Sequence, residues 1–393
     1  MIVTDLDREL LSRLGRRDFL RYTGIAVGAG VLAACKAAVT DHPAASGATP
    51  SARPSVGQEP GDLQVFDWTG YGDNVYGDAA LWKPYKQQFP TEHLKYTVFK
   101  DDDSSYAKVA AGARYDIAHP CGYRFQDWVN LKDAQGGSVL QPWDTSVLTN
   151  FSSLNPSLEA AGVFDGKQYF VVSDWGFAAP MYNADHVTPK EDSWDLLWDD
   201  RYAGKISWWD SLNMLVVAGY YNGISDPWAM TSDELAQMRD FLISKKHVVR
   251  FMWTGADLDQ AFKSGDVWVG YAWPASWSVG IYSNNLNLVY MQPKEGRTSW
   301  YCGFCLFAQT PNYFHAHDYV DAWTSPASGL WLLSNYAYGS TNTSVDLSKL
   351  DPKLVSTFSL DDPSVLQEPT THVERPIANR QDYNAMWEQV KAS

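Results

Sequence analysis

From Leu63 onward, short apolar runs of strand length alternate with stretches of helical character, and this alternation confines the fold more than any other feature of the chain. Leu63, Val65 and Asp67 alternate with Gln64, Phe66 and Trp68, the period of a strand, and Thr69-Gly70 ends the run as a turn. Asn74–Phe89 reads as a helix that stops at Pro90, with Pro84 a kink or restart. Leu94–Phe99 and Tyr115–His119 read as strands around a helix at Asp103–Ala111. A second series begins at Gln168–Val172, with strands at Phe177–Tyr182, Lys205–Asp210, Val267–Trp273, Leu286–Met291 and Gly303–Ala308. Helical stretches fall at Trp194–Asp199, Leu212–Tyr220, Ser232–Ser244, Leu258–Ser264 and Pro274–Ser283. His317–Tyr336, interrupted by Pro326, and Asn379–Lys391 complete the set. Such alternation implies an α/β fold, a parallel or mixed sheet with helices on both faces.

Ligands of open α/β sheets bind beyond the carboxyl ends of the strands. Trp68 and Tyr71 stand at such an end, and Tyr123, Trp175, Trp273, Trp300 and Tyr338 recur at similar places. Taken singly, each reads better as a core ring. Taken together, they predict one aromatic-lined site assembled from distant parts of the chain. The 18 Trp among 393 residues agree with stacking surfaces beyond a core's needs. This length suggests two domains or one large one.

The formal charge is −15. Removing residues 1–35, whose five Arg outnumber their four acids, takes it to −16. An acidic chain argues against a nucleic-acid partner and mildly favours a cationic ligand.

The first 35 residues read as an export segment. Arg16-Arg17-Asp18-Phe19-Leu20 carries twin arginines, and a short apolar run, Ile25–Ala34, follows. That run is about half of the ~20 residues needed to span a bilayer. A basic flank, short apolar core and small-residue end make a signal peptide, here of twin-arginine type. Leu32-Ala33-Ala34-Cys35 resembles a bacterial lipobox, which makes Cys35 the expected lipidation site. The alternatives are an uncleaved anchor, or a plain secretory signal with a coincidental Cys. Residues 36–62, rich in Ala, Ser, Pro and Gly, read as a flexible tether.

Catalytic signatures are missing from the sequence: it has no P-loop, GxGxxG, HExxH or GxSxG. The eight His do not fall at metal-ligand spacings, and Cys302-Gly-Phe-Cys305 lacks the second pair a zinc site needs. No cofactor or metal is expected. An aromatic box with an acid is the chemistry of ammonium recognition. Ring faces attract a cation by about 0.5–2 kcal/mol each, and a desolvated ammonium also needs a carboxylate. Asp210, at the end of a Trp-Trp strand, is placed either for that role or as a cap on the helix that follows.

From about Leu63 to Lys391 the chain resembles the spermidine/putrescine-binding proteins of polyamine ABC transporters. The likeness is carried by Trp68-Thr-Gly-Tyr71, by Tyr115-Asp-Ile with Pro120-Cys121-Gly122-Tyr123, by Tyr271-Ala-Trp273, by Pro293-Lys-Glu-Gly296 with Trp300, and by Tyr338-Gly-Ser-Thr-Asn342. The resemblance implies a two-lobed periplasmic-binding-protein-like fold of type II, with the ligand cleft between lobes. Lobe 1 would comprise roughly 63–175 plus 301–348, and lobe 2 roughly 176–300 plus 349–393. It makes Trp68, Tyr71, Cys121, Tyr123, Asp210, Asn213, Trp273, Trp300, Cys302, Tyr338 and Glu374 the expected ligand-facing set. It also implies an exported, lipid-anchored monomer that feeds an amine to a permease and its ATPase.

The departures weaken two of the family's acids. One position holds Asn213 and another holds Cys302, while Cys121 replaces a ligand-facing Ser. Asp174 or Glu374 could compensate; otherwise a monoamine is expected, or a zwitterion if Arg124 or Arg375 reaches the site. Because Cys121 and Cys302 fall on one lobe's side of the cleft, they could pair as a disulfide in an oxidising compartment, with Cys305 free and buried. Three separate buried thiols are the alternative. Two rival functions stand beside this one: the same fold binding a sugar or amino acid, and a secreted carbohydrate-active enzyme.

Overall fold

The computed structural model describes Glu59 and residues 62–71, 80–89 and 93–393. The expected signal peptide, Cys35 and nearly all of the expected tether lie outside the described residues.

Eight strands follow one path through a mixed sheet: β1 (Asp62–Trp68), β2 (His93–Phe99), β3 (Ile117–Ala118), β4 (Phe170–Asn183), β5 (Ile206–Trp209), β6 (Val249–Trp253), β7 (Val269–Ala272) and β8 (Arg297–Phe307), in spatial order β2-β1-β3-β8-β4-β7-β5-β6. The order has a physical symmetry. β2, β1 and β3 are mutually parallel at one end, and β7, β5 and β6 are mutually parallel at the other. Between them run β8 and β4, antiparallel to each other and to the strand that each meets outside the pair. The sheet therefore has two α/β ends joined through two shared central strands.

These joining strands differ from the sequence expectation. The runs at Gln168–Val172 and Phe177–Tyr182 are one strand of 14 residues, and β8 begins at Arg297 rather than Gly303. Gly176 does not break β4, because Trp300 of β8 packs over it: a Cβ there would sit 2.5 Å from the indole. The β4–β8 ladder shifts register between Cys302 and Gly303.

Most helices fall where expected. Asp101 caps the helix Asp102–Ala110 by accepting the Ser104 N–H at 2.7 Å. Thr231 and Glu234 form a full capping box on Ser232–Lys245. The long pattern up to Tyr336 is two helices, Tyr313–Trp323 and Pro326–Tyr336, with Pro326 tolerated in a first turn capped by Ser325. Pro84 likewise lies in the first turn of Lys83–Gln88, so it marks a helix start rather than a kink, and residues 74–79 of the expected helix lie outside the described residues. Trp194–Trp198 is a 3₁₀ turn, and Pro274–Ser278 runs into a single π turn.

Much of the Trp content is core. Trp128, Trp194, Trp208, Trp253, Trp277 and Trp323 are fully buried. So is Trp175, expected at the site; it packs on Gly339 and donates its indole N–H to the Ser340 carbonyl.

Candidate functional site

Strand ends and the β4–β8 seam form one cavity of about 100 Å³. The turn after β1 supplies Trp68, Thr69, Gly70 and Tyr71. Gly70 holds φ 109°, and Thr69 N–H bonds the Phe99 carbonyl at the end of β2. β5 contributes Trp209, the end of β7 leads into Trp273, and β8 supplies Trp300 and Cys302. Tyr336 and Tyr338 come from the end of the helix Pro326–Tyr336 and the turn beyond it.

The rings brace one another. Tyr336 and Tyr338 stack at 5.4 Å, Tyr71 meets Tyr336 edge-on at 5.6 Å, and Trp300 meets Tyr338 edge-on at 4.8 Å. Across the cavity Trp209 and Trp273 meet at 5.3 Å, with Trp253 behind them. Hydroxyls on this wall bond back into the protein. Tyr71 donates to Asp174 at 2.5 Å, Tyr336 to the Gly70 carbonyl at 2.7 Å and Thr69 to the Phe99 carbonyl.

Two carboxylates line the cavity among the described residues, Asp102 and Glu374. Asp102 opens a helix, where the N-terminal dipole favours a negative group. It accepts the Tyr123 hydroxyl at 2.8 Å and the Cys121 N–H at 3.2 Å. Burial nonetheless pushes its pKa up to about 6. Glu374 accepts an amide hydrogen bond from Asn213 at 2.7 Å. Burial, reinforced by the charge of Asp102, pushes its pKa up to about 8, against the pull of Arg380 and of the Asn213 bond. Arg380 stacks on Tyr123 at 4.8 Å but spends its hydrogen bond on Asp103 at 2.7 Å. The wall is therefore aromatic with two desolvated acids, a field that favours a cation.

Behind Tyr71 lies a fully buried polar chain. His119 bonds Asp67 at 2.8 Å, Ser173 at 2.8 Å and Asp174 at 3.0 Å, and Asp174 takes the Tyr71 hydroxyl. Burial alone would lower the His119 pKa, but the two carboxylates outweigh it and hold the imidazole at about 9.

The structure brings nine of the eleven expected residues to the cavity wall: Trp68, Tyr71, Cys121, Tyr123, Trp273, Trp300, Cys302, Tyr338 and Glu374. Asp210 is not among them. It accepts the Trp387 indole N–H at 2.8 Å and pairs with Lys391 at 3.2 Å. Side chains alternate along a strand, so once Trp209 faces the cavity its neighbour faces away. Asn213 also stays off the wall, behind Glu374. Asp174 is sealed in the His119 chain. Arg124 is paired with Asp127 at 2.7 Å, and the exposed Arg375 is bonded to Asp226. Cys121 and Cys302 are joined as a disulfide on the wall, and Cys305 is free and buried. Sequence reasoning missed Asp102, Trp209 and Tyr336. The signal for Asp102 was its place just beyond the carboxyl end of β2, the rule that had found Trp68.

Residues 81–356 match the bacterial extracellular solute-binding protein family, and the chain belongs to it. It is 26% identical over 261 residues to the spermidine/putrescine-binding periplasmic protein of Escherichia coli K12, covering 64% of this chain and 69% of that protein. Among solved structures, the fold matches the Tp0655 (TpPotD) lipoprotein of Treponema pallidum with a TM-score of 0.69 at 19% identity, over 84% of this chain and 98% of that one. It also matches the binding protein MotA of Agrobacterium tumefaciens B6, solved with glucopine, at a TM-score of 0.66 and 17% identity over 84% and 99% of the two chains. The protein is a solute receptor of two-lobed periplasmic-binding-protein fold.

Proposed function

We propose that this receptor captures an amine for an ABC importer, holding the cation among aromatic rings and between Asp102 and Glu374. The observation that carries the reading is the meeting of two buried carboxylates in an otherwise aromatic cavity. The charge of Asp102 disfavours the charged form of Glu374, and a cation bound between them favours both charged forms. In the proposed division of the chain, Asp102 belongs to lobe 1 (63–175 plus 301–348) and Glu374 to lobe 2 (176–300 plus 349–393). The cation then bridges the lobes and favours their closure about β4 and β8. The permease and its ATPase read the closed state. Cys35 carries the lipid that holds the monomer at the outer face of the cytoplasmic membrane after twin-arginine export.

An anionic or zwitterionic ligand is less well served, because Arg124 and Arg375 are tied to acids elsewhere. Titration of the purified protein with amines, basic amino acids and sugars, followed by Trp fluorescence and thermal shift, tests the reading. A saturable response to an amine without product formation supports it. A response confined to a sugar or an anionic solute refutes it.

A further inference from the structure

Asp103 stands next to the wall acid Asp102, in the first turn of the helix Asp102–Ala110 that follows β2. It is held from the far end of the sheet. Arg380 Nε donates to its Oδ1 at 2.7 Å, and the Asn384 side-chain amide donates to its Oδ2 at 3.3 Å. Four residues apart on the helix Arg380–Ala392, these two side chains share one face, so one helix takes both oxygens of one carboxylate. The Arg380 guanidinium also lies over the ring of Tyr123, which is on the cavity wall and donates to Asp102.

The helix Arg380–Ala392 is itself fastened elsewhere. It packs on the helix Ser232–Lys245, Trp387 and Lys391 hold Asp210 just past the end of β5, and Tyr383 donates to the Pro227 carbonyl. The chain shortly before this helix carries Glu374, the second wall acid. The charge of Arg380 reaches both acids, since it opposes the upward pKa shift of each. The Arg380 side chain is 16% exposed and that of Asp103 35%, so the pair is partly shielded from screening by salt.

In the lobe division proposed above, Asp103 belongs to lobe 1 and Arg380 to lobe 2. This step rests on the closure of those lobes and not on which cation they close over. We infer that Arg380 is a positioning residue and that its contact with Asp103, helped by Asn384, is the latch of the cleft. It holds the Asp102 wall against the Glu374 wall, and a ligand enters or leaves only when it lets go. Breaking such a latch eases entry and exit together, so both rates change more than the affinity does.

Stopped-flow Trp fluorescence with butylamine and putrescine reads entry and exit separately. In Arg380→Gln both rate constants are expected to rise about tenfold, with Kd moving far less than either. Damage to the cavity alone would speed exit and leave entry as it was. Asp103→Asn is expected to match Arg380→Gln, the double variant to be no faster than either, and Arg380→Lys, which keeps a cation on the helix, to lie nearer the parent. Small-angle scattering of the ligand-free proteins supplies a readout that needs no ligand, and Arg380→Gln is expected to show the larger radius of gyration. An unchanged radius, or exit that speeds up while entry does not, overturns the inference and leaves the amine reading intact. A larger radius with silence towards both amines supports the latch and overturns the amine reading.

Discussion

If an amine cation enters beside Glu374, a proton must leave. The groups facing this carboxyl are Asn213, which donates to it, Asp102 and Tyr123 across the cavity, and Arg380 from the helix Arg380–Ala392. With a pKa of about 8, Glu374 is about 90% protonated at pH 7 in the empty protein, while Asp102 at about 6 is about 10% protonated. A cation between them favours both charged forms. Binding at pH 7 should therefore release about one proton. The sign follows: lowering the pH protonates the empty site and weakens binding. Between pH 8.5 and 6 the loss should reach about a hundredfold, provided that the ligand's own amine, with a pKa near 10, stays charged. Calorimetry at pH 7 in phosphate and in Tris, whose ionisation enthalpies differ, reads the proton count directly. Glu374→Gln should abolish the release and weaken binding by about 1.5–3 kcal/mol at pH 8.5. Identical apparent enthalpies in both buffers, or affinity flat from pH 6 to 8.5, would refute the argument.

Three more outcomes are expected. Asp210→Asn should leave amine affinity within twofold of the parent while lowering stability by about 1 kcal/mol, read by urea denaturation, because it weakens the ties to Trp387 and Lys391 but touches no part of the cavity. His119→Ala should cost about 3–5 kcal/mol by stranding Asp67 and Asp174 in the core. In the parent, His119 is held protonated up to about 9 against an ordinary 6.5, so its contribution is complete below pH 6.5 and is lost as pH rises through 9. The gap in Tm between parent and variant should close over that window, and a gap that widens there counts against the assignment. Reduction of the Cys121–Cys302 bond, which spans 181 residues of sequence, should lower the unfolding free energy by about 2–5 kcal/mol. Non-reducing peptide mapping that finds three alkylatable thiols among Cys121, Cys302 and Cys305 would remove that expectation.

The sequence disclosed elements whose signals are local. β1 and its turn were legible because Leu63 to Trp68 alternate and Thr69-Gly70 punctuates. The helix read at Asp103–Ala111 stands at Asp102–Ala110, one residue earlier. β4 was not legible as one strand, since it is buried on both faces and offers no polar alternation, and Gly176 imitates a break. At the site, the aromatic strand ends were readable, but the phase of each strand was not. Whether Trp209 or Asp210 faces the cavity depends on how β5 lies against β6 and β7. Asp102 stands between Asp101, which is exposed, and Asp103, which is half-buried, and nothing in the three-acid run marks the middle one. Its burial is created by Cys121 and Tyr123, some 19 and 21 residues further on.

The two joining strands also govern how the protein comes apart. β4 and β8 share a border from Thr298 opposite Ala178 to Cys305 opposite Phe170, with one slip in register between Cys302 and Gly303. Each end of the sheet completes its ladder on this border, through β3 on β8 and β7 on β4. Neither end can therefore lose its strands without exposing the unpaired edge of the other. The two ends of the sheet are thereby fused into one cooperative unit. Heating should accordingly produce one transition rather than two, and the slowest-exchanging amides should lie along this border.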